Sequence, residues 1–472
     1  MSQVNKYLKI ILRLEAENKE LRKIIVQQKE IIELQAKRIS DLESKLAEFT
    51  AHPSTPSGMK PVYEKEPVKN RRKKPGQKQN HQGHHRSTPD KISREKDWTL
   101  CECPNCGSLL GKPVEIRNRY TEDIPPVEVE VIKHNIHRYY CPNCKKIVEP
   151  KVTDALPNSQ LGLRLSVMSC WLHYSLGVTI ENIIKWFSCF SSIKISPGGL
   201  TQSWTRLSGI LLPLYQEIGK EAKNSTVLNA DESGWRVNGK SHWLWCFTNE
   251  LLAYFTIDRS RGSPVVKKVL GKVFGGILIC DFFGAYGKII AWAKQRCIAH
   301  LFRELEKVAI KNNSCEWVAF MKKLKRLLKD AMRLSAKQKE IESAVYMSKT
   351  DKLHQRLAMI YSQKYKDSDC KRIAKRLKRH KDELFTFVTH PEVSADNNHA
   401  ERQIRPAVIM RKNSYCNRSK QGADTQVILM SIFRTLHLRK IDPISTLTNS
   451  LSEWIKTGNI SPLPTVLLQT GK

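Results

Sequence analysis

Three acidic residues, Asp231, Asp281 and Glu401, have sequence surroundings that suit metal-binding carboxylates. Asp231 and Asp281 each end a short β-branched and apolar run, which predicts a strand, and Glu401 lies in a polar segment with helical character. Such carboxylates can converge on two Mg²⁺ (or Mn²⁺) ions, which prefer oxygen ligands and, as a pair, clamp the attacking and leaving oxygens of a phosphoryl displacement. The alternative is three unrelated surface acids among the 46 Asp and Glu residues.

The elements around these acids predict an α/β domain over residues 223–440. From Ser225, the pattern predicts three strands, a short helix, a fourth strand that ends at Asp281, and a helix that runs from about residue 289 to residue 311. Residues 311–390 are basic and helix-rich, and we interpret them as a helical insertion between the second and third acids. The predicted segments are STVLNAD, HWLWCFTN, LAYFTID, SPVVKKVLG, GGILICD and IIAWAKQRCIAHLFRELEKVAIK.

Side chains near the acids leave several alternatives open. Cys297 and His300 lie one helical turn apart, either as a packing pair or as a metal or active-site pair. Arg303 is a candidate for a DNA phosphate contact or a contact with one of the acids. Asn397 and Asn398 precede Glu401, and one of them can share its helix face and orient it, while Asp396 is a candidate helix cap.

Two Cys-x-x-Cys pairs predict a structural zinc site within residues 98–150. Cys103 and Cys106 form the first pair, and Cys141 and Cys144 form the second. Four thiolates give the closed tetrahedral site typical of structural Zn²⁺, and the alternating residues between the pairs predict a small ribbon. Free thiols are the alternative, and Cys101 is a possible substitute ligand. The odd total of 13 cysteines indicates reduced thiols and a cytoplasmic protein.

The first fifty residues predict a coiled coil. Of the fourteen seam positions of seven heptads, eleven are apolar, and no Pro or Gly interrupts them. Branched residues at the first seam position with Leu at the second favour a parallel homodimer, and Asn18 fixes its register. A single amphipathic helix packed on the rest of the chain is the alternative.

The linker at 51–97 and the helices at 151–222 are candidate DNA-binding regions. The linker is rich in Pro, Gly and charged residues. Its cation run is Arg71, Arg72, Lys73 and Lys74, which can follow the phosphates of DNA; the alternative is a solvated linker that binds nothing. Residues 160–222 predict two helices with a break near Ser196–Gly199, as in a helix-turn-helix or in plain packing between domains. A helical tail is predicted over 441–472.

Composition favours nucleic acid as the partner. The 472 residues include 80 Lys and Arg, for a net charge of +34, which attracts polyphosphate. A ribosome-associated factor would share this charge, but the length and the acids argue against that class. The most apolar stretch contains Arg164 and His173, and the amino terminus lacks the apolar core of a signal peptide, so a membrane protein is not expected.

Four segments in order, STVLNADESGWRV, ICDFFGAYG, QRCIAHLFREL and ADNNHAERQIRPAVIMRKNSYCNRSKQGA, resemble the DDE transposases of the insertion-sequence 66 type. The amino-terminal zipper, the basic linker and the paired cysteines extend the likeness to nearly the whole chain. Ser233 and Phe282 depart from the family pattern, where Thr and Gly are common, but neither departure removes a carboxylate.

The resemblance implies a bacterial enzyme that binds the ends of its own mobile element and performs Mg²⁺-dependent strand cleavage and strand transfer on DNA, alone or with accessory proteins. It implies a ribonuclease-H-like core in which Asp231, Asp281 and Glu401 are the catalytic residues. A non-catalytic zinc-containing regulator and a purely hydrolytic nuclease remain alternatives. The candidate phosphate-binding residues of the carboxy-terminal segment are Arg402, Arg405, Arg411, Lys412 and Arg418.

Overall fold

The computed structural model describes residues 88–124 and 127–465, together with scattered positions between 14 and 40. These scattered positions are helical and exposed. The cation run Arg71–Lys74 and the rest of the predicted coil and linker lie outside the described residues. The chain divides into two units, one up to Glu122 and one from Asp123, and this boundary falls inside the predicted zinc-binding segment.

The larger unit contains seven strands, fourteen α-helices and two short 3-10 helices, Gln338–Glu340 and Lys381–Glu383, among its described residues. The strands are β1 (Tyr139–Cys141), β2 (Lys146–Val148), β3 (Val227–Val237), β4 (Lys240–Thr248), β5 (Ala253–Asp258), β6 (Val273–Cys280) and β7 (Ile290–Arg296). The helices are α1 (Leu163–Tyr174), α2 (Ile180–Ser191), α3 (Pro197–Ile210), α4 (Leu212–Lys223), α5 (Ser263–Leu270), α6 (Gly284–Gly287), α7 (Ile298–Lys311), α8 (Cys315–Ala336), α9 (Ser343–Ser362), α10 (Ser368–Arg379), α11 (Thr386–Thr389), α12 (Asn398–Ser414), α13 (Lys420–Leu438) and α14 (Pro443–Thr457).

The central sheet has five strands in the order β5-β4-β3-β6-β7. β3, β4 and β5 pair antiparallel, whereas β6 and β7 run parallel to β3. Asn238 and Gly239 close the β3–β4 hairpin with positive φ angles, as a tight hairpin turn requires. In β6, a Cβ on Gly276 would lie 2.2 Å from the Ser225 carbonyl oxygen, so only glycine permits this close approach to the start of β3.

The two faces of the sheet carry different cores. Leu278 and Cys280 of β6 belong to a large core that also contains residues of α1, α3, α4, α12, α13 and α14. Ile277 and Ile279, which alternate with them, belong to a second core with α7 to α11. The sheet therefore separates α1, α3, α4 and α12 to α14 on one face from α7 to α11 on the other.

Several sequence predictions are confirmed here. The order of three strands, a helix and a strand appears as β3, β4, β5, α5 and β6, and residues 311–390, all of them described, are helical with no strand. The break at Ser196–Gly199 is the start of α3, where the Ser196 hydroxyl accepts a hydrogen bond from the Gly199 N–H. Helix α14 lies within the predicted tail, and residues 466–472 are outside the described part.

Other predictions were wrong in detail. The segment expected to be one helix from about residue 289 begins with strand β7, and only Ile298–Lys311 is helical. Residues 160–222 form four helices rather than two. Of the expected ribbon, only the short β1–β2 hairpin forms. Residues 127–138 form no strand, because none of them makes strand pairing with another part of the described chain.

Among the residues that the structure describes, we find no helix with the length and apolar character needed to cross a membrane.

Candidate active site

The sheet register places Asp231 and Asp281 on neighbouring strands. The parallel pairing of β3 with β6 includes Asn229 opposite Ile279, and each acid lies two residues further along its strand direction. Asp281 directly follows β6, as predicted. Asp231 does not end its strand, because β3 continues to Val237 with β4 as its partner. Both carboxylates nevertheless lie where the parallel pairing stops.

Glu401 is brought to this edge by a buried asparagine. Glu401 lies in the first turn of α12, and Asn397 is the residue directly before this helix. The Asn397 amide donates a hydrogen bond to the Ala230 carbonyl oxygen at 2.8 Å and accepts one from the Asn229 amide at 2.9 Å. Asn397 thus ties α12 to the residue before Asp231, and its side chain contacts β3 rather than Glu401.

Asp396 stabilises the same helix start. Its Oδ1 accepts a hydrogen bond from the Asn398 N–H at 3.0 Å, and its Oδ2 accepts one from the Asn398 amide at 2.7 Å. Asp396 therefore bonds the first residue of α12 from the position before the N-cap, and the N-cap residue Asn397 makes no side-chain capping bond.

The charges of the three carboxylates act on one another. The pKa of Asp231 is raised to about 8, first because the carboxyl is buried and then because Glu232, Asp281 and Glu401 are nearby. The structure therefore brings the three predicted acids into one electrostatic neighbourhood. A concentration of negative charge on half-buried oxygen donors is the chemistry that a divalent cation offsets.

The three acids are close but are not assembled around an ion. Over the described ranges, no group of three or more His, Cys, Asp and Glu side chains stands in an arrangement that could hold a metal ion. Glu401 accepts a hydrogen bond from Arg303, and His300 Nε2 lies 3.7 Å from the same oxygen of Glu401. The donor types fit divalent cations, while Arg303 already occupies one oxygen of Glu401.

Asp281 is held more firmly. Its Oδ1 accepts a hydrogen bond from the Phe283 N–H at 2.8 Å, and its carbonyl oxygen accepts one from Arg296 Nη1 at 2.6 Å. Arg296 is fully buried in β7 and donates through Nε to Glu383 at 2.6 Å. One of its nitrogens, Nη2, has no hydrogen-bond partner among the described residues.

Glu232 is a site residue that the sequence analysis did not identify. Its side chain is only 2% exposed. Oε1 accepts hydrogen bonds from Arg261 Nε and Nη2 at 3.1 and 3.0 Å, and Oε2 accepts one from the Tyr286 hydroxyl at 2.6 Å. Burial is the main reason that its pKa is raised. Its backbone N–H donates to Asp231 Oδ1 at 3.0 Å, so Glu232 fixes the orientation of Asp231.

The alternatives left open on α7 have different outcomes. Cys297 is fully buried and its sulfur accepts a hydrogen bond from the Asn397 N–H at 3.1 Å, as expected of a packing residue. His300 lies near Glu401, and burial followed by the charge of Arg303 lowers its pKa. Arg303 contacts an acid, Glu401, which was one of its two predicted roles.

The candidate DNA-binding residues of the carboxy-terminal segment are not all free. Arg402, Arg405 and Arg418 are exposed. Lys412 is half-buried. Arg411 Nη1 instead donates to the Ser233 hydroxyl at 3.1 Å and to the Gly234 carbonyl oxygen, so it joins the end of α12 to β3.

Each cysteine pair, taken by itself, forms a turn that favours thiolates. In the smaller unit, the Gly107 N–H donates to the Cys103 carbonyl oxygen at 2.8 Å, and a hydrogen bond with the Ser108 side chain is the main cause of a lowered pKa at Cys106. In the larger unit, the Cys144 N–H lies 3.5 Å from the Cys141 sulfur, and this contact is the main cause of a lowered pKa at Cys141. Thiolate character is what a zinc ligand needs.

The two turns also share a backbone feature. The residue after the second cysteine has a positive φ in both, 75° at Gly107 and 51° at Lys145. This conformation is easily adopted by glycine and uncommon for lysine. Cys101 is exposed and precedes the first of these turns. Its carbonyl oxygen accepts a hydrogen bond from the Leu110 N–H.

Comparison with known proteins gives matches over most of the chain. Residues 158–425 match the family model "Transposase IS66 family", and residues 101–145, which contain all five of these cysteines, match the model "zinc-finger binding domain of transposase IS66". These two regions include Asp231, Asp281, Glu401 and both cysteine pairs.

Two relatives come from Sinorhizobium fredii (strain NBRC 101917 / NGR234). The uncharacterized protein y4qI is 28% identical over 240 residues, which cover 44% of this chain and 43% of that relative, so the chain spans less than half of its length. The uncharacterized protein y4hP is 22% identical over 409 residues, 77% of this chain and 73% of that protein. Since the first family model covers more than half of the sequence, the chain belongs to the IS66 family of transposases.

Proposed function

We propose that this protein is an active transposase, which cleaves DNA at the ends of its element and joins the freed ends to target DNA. The observation that carries the proposal is that Asp231 and Asp281 lie where the parallel β3–β6 pairing stops, with the start of the Glu401 helix tied to the same edge through Asn397. Three acids from three separate parts of the sequence meet at one edge of a sheet whose order of elements supports the ribonuclease-H-like core that the family resemblance predicts. The match to the zinc-finger model supports DNA binding.

Asp231, Asp281 and Glu401 would hold the divalent cations. When bound, Mg²⁺ (or Mn²⁺) would supply activation of the attacking oxygen and stabilisation of the leaving 3′-oxygen. The protein would contribute position: the Glu232 N–H orients Asp231, and the Phe283 N–H orients Asp281. Glu232 itself would not be a ligand, because both of its oxygens are occupied by Arg261 and Tyr286. Positioning and charge stabilisation can carry phosphoryl transfer without a covalent protein–DNA intermediate.

The cysteines of the zinc-finger region would hold one Zn²⁺ through Cys103, Cys106, Cys141 and Cys144. The lowered pKa values at Cys106 and Cys141 support this ligand set. We propose that this region, the linker cations Arg71–Lys74 and the exposed arginines of α12 bind the element ends and target DNA. A bacterial cytoplasmic location accords with this role.

The assay that tests the function is incubation of the full-length protein with Mg²⁺ and a labelled duplex that carries the element ends. Joined products support the transposase. Nicked or cleaved products without joining would instead indicate a hydrolytic nuclease, and binding without cleavage would indicate a regulator. If joining appears only after other proteins of the element are added, the accessory-protein requirement is established as well.

We further propose that the amino-terminal helix forms the parallel homodimer. Its described seam residues Leu14, Leu21, Ile25, Ile32 and Ile39 are each more than half exposed, as expected of an apolar face that a second copy covers. Deleting residues 1–49 should yield a monomer and reduce paired-end joining much more than single-end nicking. Sedimentation and joining on the same samples test both effects, and a truncated protein that remains dimeric would assign the helix to packing instead.

Asn18 provides a finer test of the same coil. An asparagine in the first seam position favours two strands at some cost in stability, so Asn18→Ile should tighten association and allow trimers. An unchanged, strictly dimeric Asn18→Ile protein would contradict the predicted register.

A further inference from the structure

A cleft of about 600 Å³ lies at the β3–β4 hairpin, further along β3 than Asp231. Its walls are the end of β3, the start of β4, and the carboxy-terminal end of α12 with the turn that follows. Aromatic and cationic side chains dominate it, and none of its described lining residues carries a carboxylate. The side chains on which the argument rests are Trp235, Arg236, His242, Trp243, Arg411 and Tyr415.

The turn that contributes Tyr415 has an uncommon backbone. Tyr415 and Cys416 have consecutive positive φ angles of 56° and 71°, a conformation disfavoured for bulky residues that persists only where the surroundings enforce it. Asn417 enforces it here. Its N–H donates to the Arg236 carbonyl oxygen at 3.2 Å, its carbonyl accepts from the Asn238 N–H at 2.9 Å, and its side chain accepts from the Trp235 indole at 2.7 Å.

This fixed backbone presents an aromatic ring to solvent. The Tyr415 side chain is 88% exposed, and no aromatic or cationic group of the described residues stacks on it. A rigidly held, exposed ring is a surface on which a planar ligand can stack, and strained backbone is concentrated at ligand sites.

The charges of the cleft select an anionic ligand. Arg236 is exposed on β3, Arg411 is half-buried beneath the turn, and His242 lies on the facing strand. A ligand with one aromatic face and an adjacent negative charge matches this combination, and a nucleotide within a DNA strand has both.

The cleft is also connected to the acids. Gly234 lines the cleft and lies three residues after Asp231 on β3, which corresponds to roughly 10 Å along a strand. The Arg261 guanidinium packs over the Trp243 ring at 4.3 Å while it binds Glu232, the residue beside Asp231. A DNA strand at the carboxylates would therefore reach the cleft within a short distance.

We infer that this cleft binds a single unstacked base of the DNA strand next to the cleavage position, with Tyr415 stacked on the base and Arg236 and Arg411 near its phosphates. A base inside a duplex has both faces covered by its neighbours, so only an unpaired base can stack on Tyr415. The inference rests on the proposed DNA substrate and specifies the form of DNA that the site takes.

Binding of short labelled oligothymidylate to the full-length protein, without added divalent cations, tests the inference. Tyr415→Asn tolerates the same left-handed backbone but removes the ring. We expect it to weaken single-strand binding by about 5- to 150-fold, whereas Tyr415→Phe keeps wild-type affinity. A fully paired duplex of equal length should bind both variants like the wild type, because phosphate contacts dominate there.

Two controls make the result specific. Trp292→Ala removes another exposed aromatic residue, on β7, and should leave single-strand binding unchanged. Arg236→Ala should reduce the salt dependence of binding by about one unit of slope, whereas Tyr415→Asn should leave that slope intact. Equal single-strand binding by wild type and Tyr415→Asn would overturn the inference.

This outcome is independent of the proposed function. If the wild type cleaves DNA and Tyr415→Asn binds oligothymidylate as tightly as the wild type does, the inference about the cleft alone is refuted. A protein that needs the ring for binding but never cleaves DNA would refute the transposase activity alone. Loss of helical circular dichroism in Tyr415→Asn would contradict the exposed placement of its side chain.

Discussion

Asp231 lies in the middle strand of a five-stranded sheet, whereas Cys103, Cys106, Cys141 and Cys144 lie in turns that local hydrogen bonds maintain. Burial raises the pKa of Asp231 and so opposes its charge, while short-range hydrogen bonds lower the pKa of Cys106 and Cys141 and so favour theirs. Both groups are candidate metal ligands, yet the fold treats them in opposite ways.

The difference indicates what each metal would do. The sheet register and Asn397 bring the acids together, so a bound cation would offset repulsion among carboxylates that the fold has already gathered. The cysteine turns are exposed, and the described residues around them have little regular structure, so zinc would supply much of the folding free energy of that region. Removal of the divalent cation should therefore abolish cleavage but preserve the fold of the sheet, whereas removal of zinc should unfold the cysteine region.

The largest expected effect is the loss of cleavage in Asp281→Ala. A divalent cation contributes several kcal/mol to the transition state, so losing a ligand should reduce cleavage by about 10³-fold or more. The thermal unfolding temperature should change little, because one of several mutually repelling acids is removed. Glu181→Ala, a change at an exposed acid of α2, is the matched control. Robust cleavage by Asp281→Ala, measured on the labelled duplex, would exclude Asp281 as a ligand.

Zinc removal should have the next largest effect, and it should be structural. Purified protein should contain about one Zn²⁺ per chain, and Cys141→Ser should lose it and weaken end binding, while the unfolding temperature of the sheet remains near that of the wild type. Cys189→Ser, at another exposed cysteine, should retain the metal. Metal analysis and calorimetry measure both quantities, and full zinc content in Cys141→Ser would contradict the assigned ligand set.

The strands that position the acids could be predicted from sequence because their apolar patterns are strong. Strand β7 could not be predicted in the same way, because it ends in the polar residues Lys294, Gln295 and Arg296, which interrupt the apolar pattern. Gln295 and Arg296 can be buried because residues distant in sequence satisfy their hydrogen bonds. Gln295 donates to the Leu384 carbonyl oxygen and accepts from the Phe387 N–H, and Arg296 donates to Glu383. A polar residue that is buried by long-range hydrogen bonding has no periodic signal, so the pattern indicated a helix.

The site was predictable in its acids and not in what surrounds them. Glu232 directly follows Asp231 in the sequence, but its partners Arg261 and Tyr286 are 29 and 54 residues away. Spacing cannot reveal such a network, and only the sheet brings its members together. For Arg303, the sequence allowed a phosphate or an acid as partner. The ion pair with Glu401 forms because hydrogen bonds from the Ile298 N–H to the Ala395 carbonyl oxygen and from the Asn397 N–H to the Cys297 sulfur hold the start of α7 near the start of α12.

A smaller effect, on stability, should distinguish the two regions by pH. The folded pKa of Asp231, about 8, lies above the unfolded value of about 4, so the stability it contributes is complete below pH 4 and is lost as the pH rises through 8. Without divalent cations, Asp231→Asn should therefore be more stable than the wild type at about pH 9 and nearly equal to it at about pH 4.

Thermal unfolding of both proteins across this pH range measures the difference, which should be of the order of a few kcal/mol. Added Mg²⁺ should stabilise the wild type at high pH and leave Asp231→Asn unchanged. A parallel pH dependence in the two proteins would show that Asp231 is not the group whose ionisation opposes folding.

The smallest expected effect concerns Arg303, which competes with a cation for Glu401. Its side chain is about half exposed, and an exposed ion pair contributes roughly 0.2–1 kcal/mol. Arg303→Ala should release Glu401 and tighten Mg²⁺ binding by about 1.4- to 5-fold, measured by titration calorimetry in the absence of DNA. Arg405→Ala, also on the exposed surface, removes a similar charge that is not paired with Glu401 and should leave Mg²⁺ affinity unchanged. Weaker Mg²⁺ binding in Arg303→Ala would mean that Arg303 supports the carboxylate arrangement rather than competing with the ion, and Glu401 would then reach the cations while still paired.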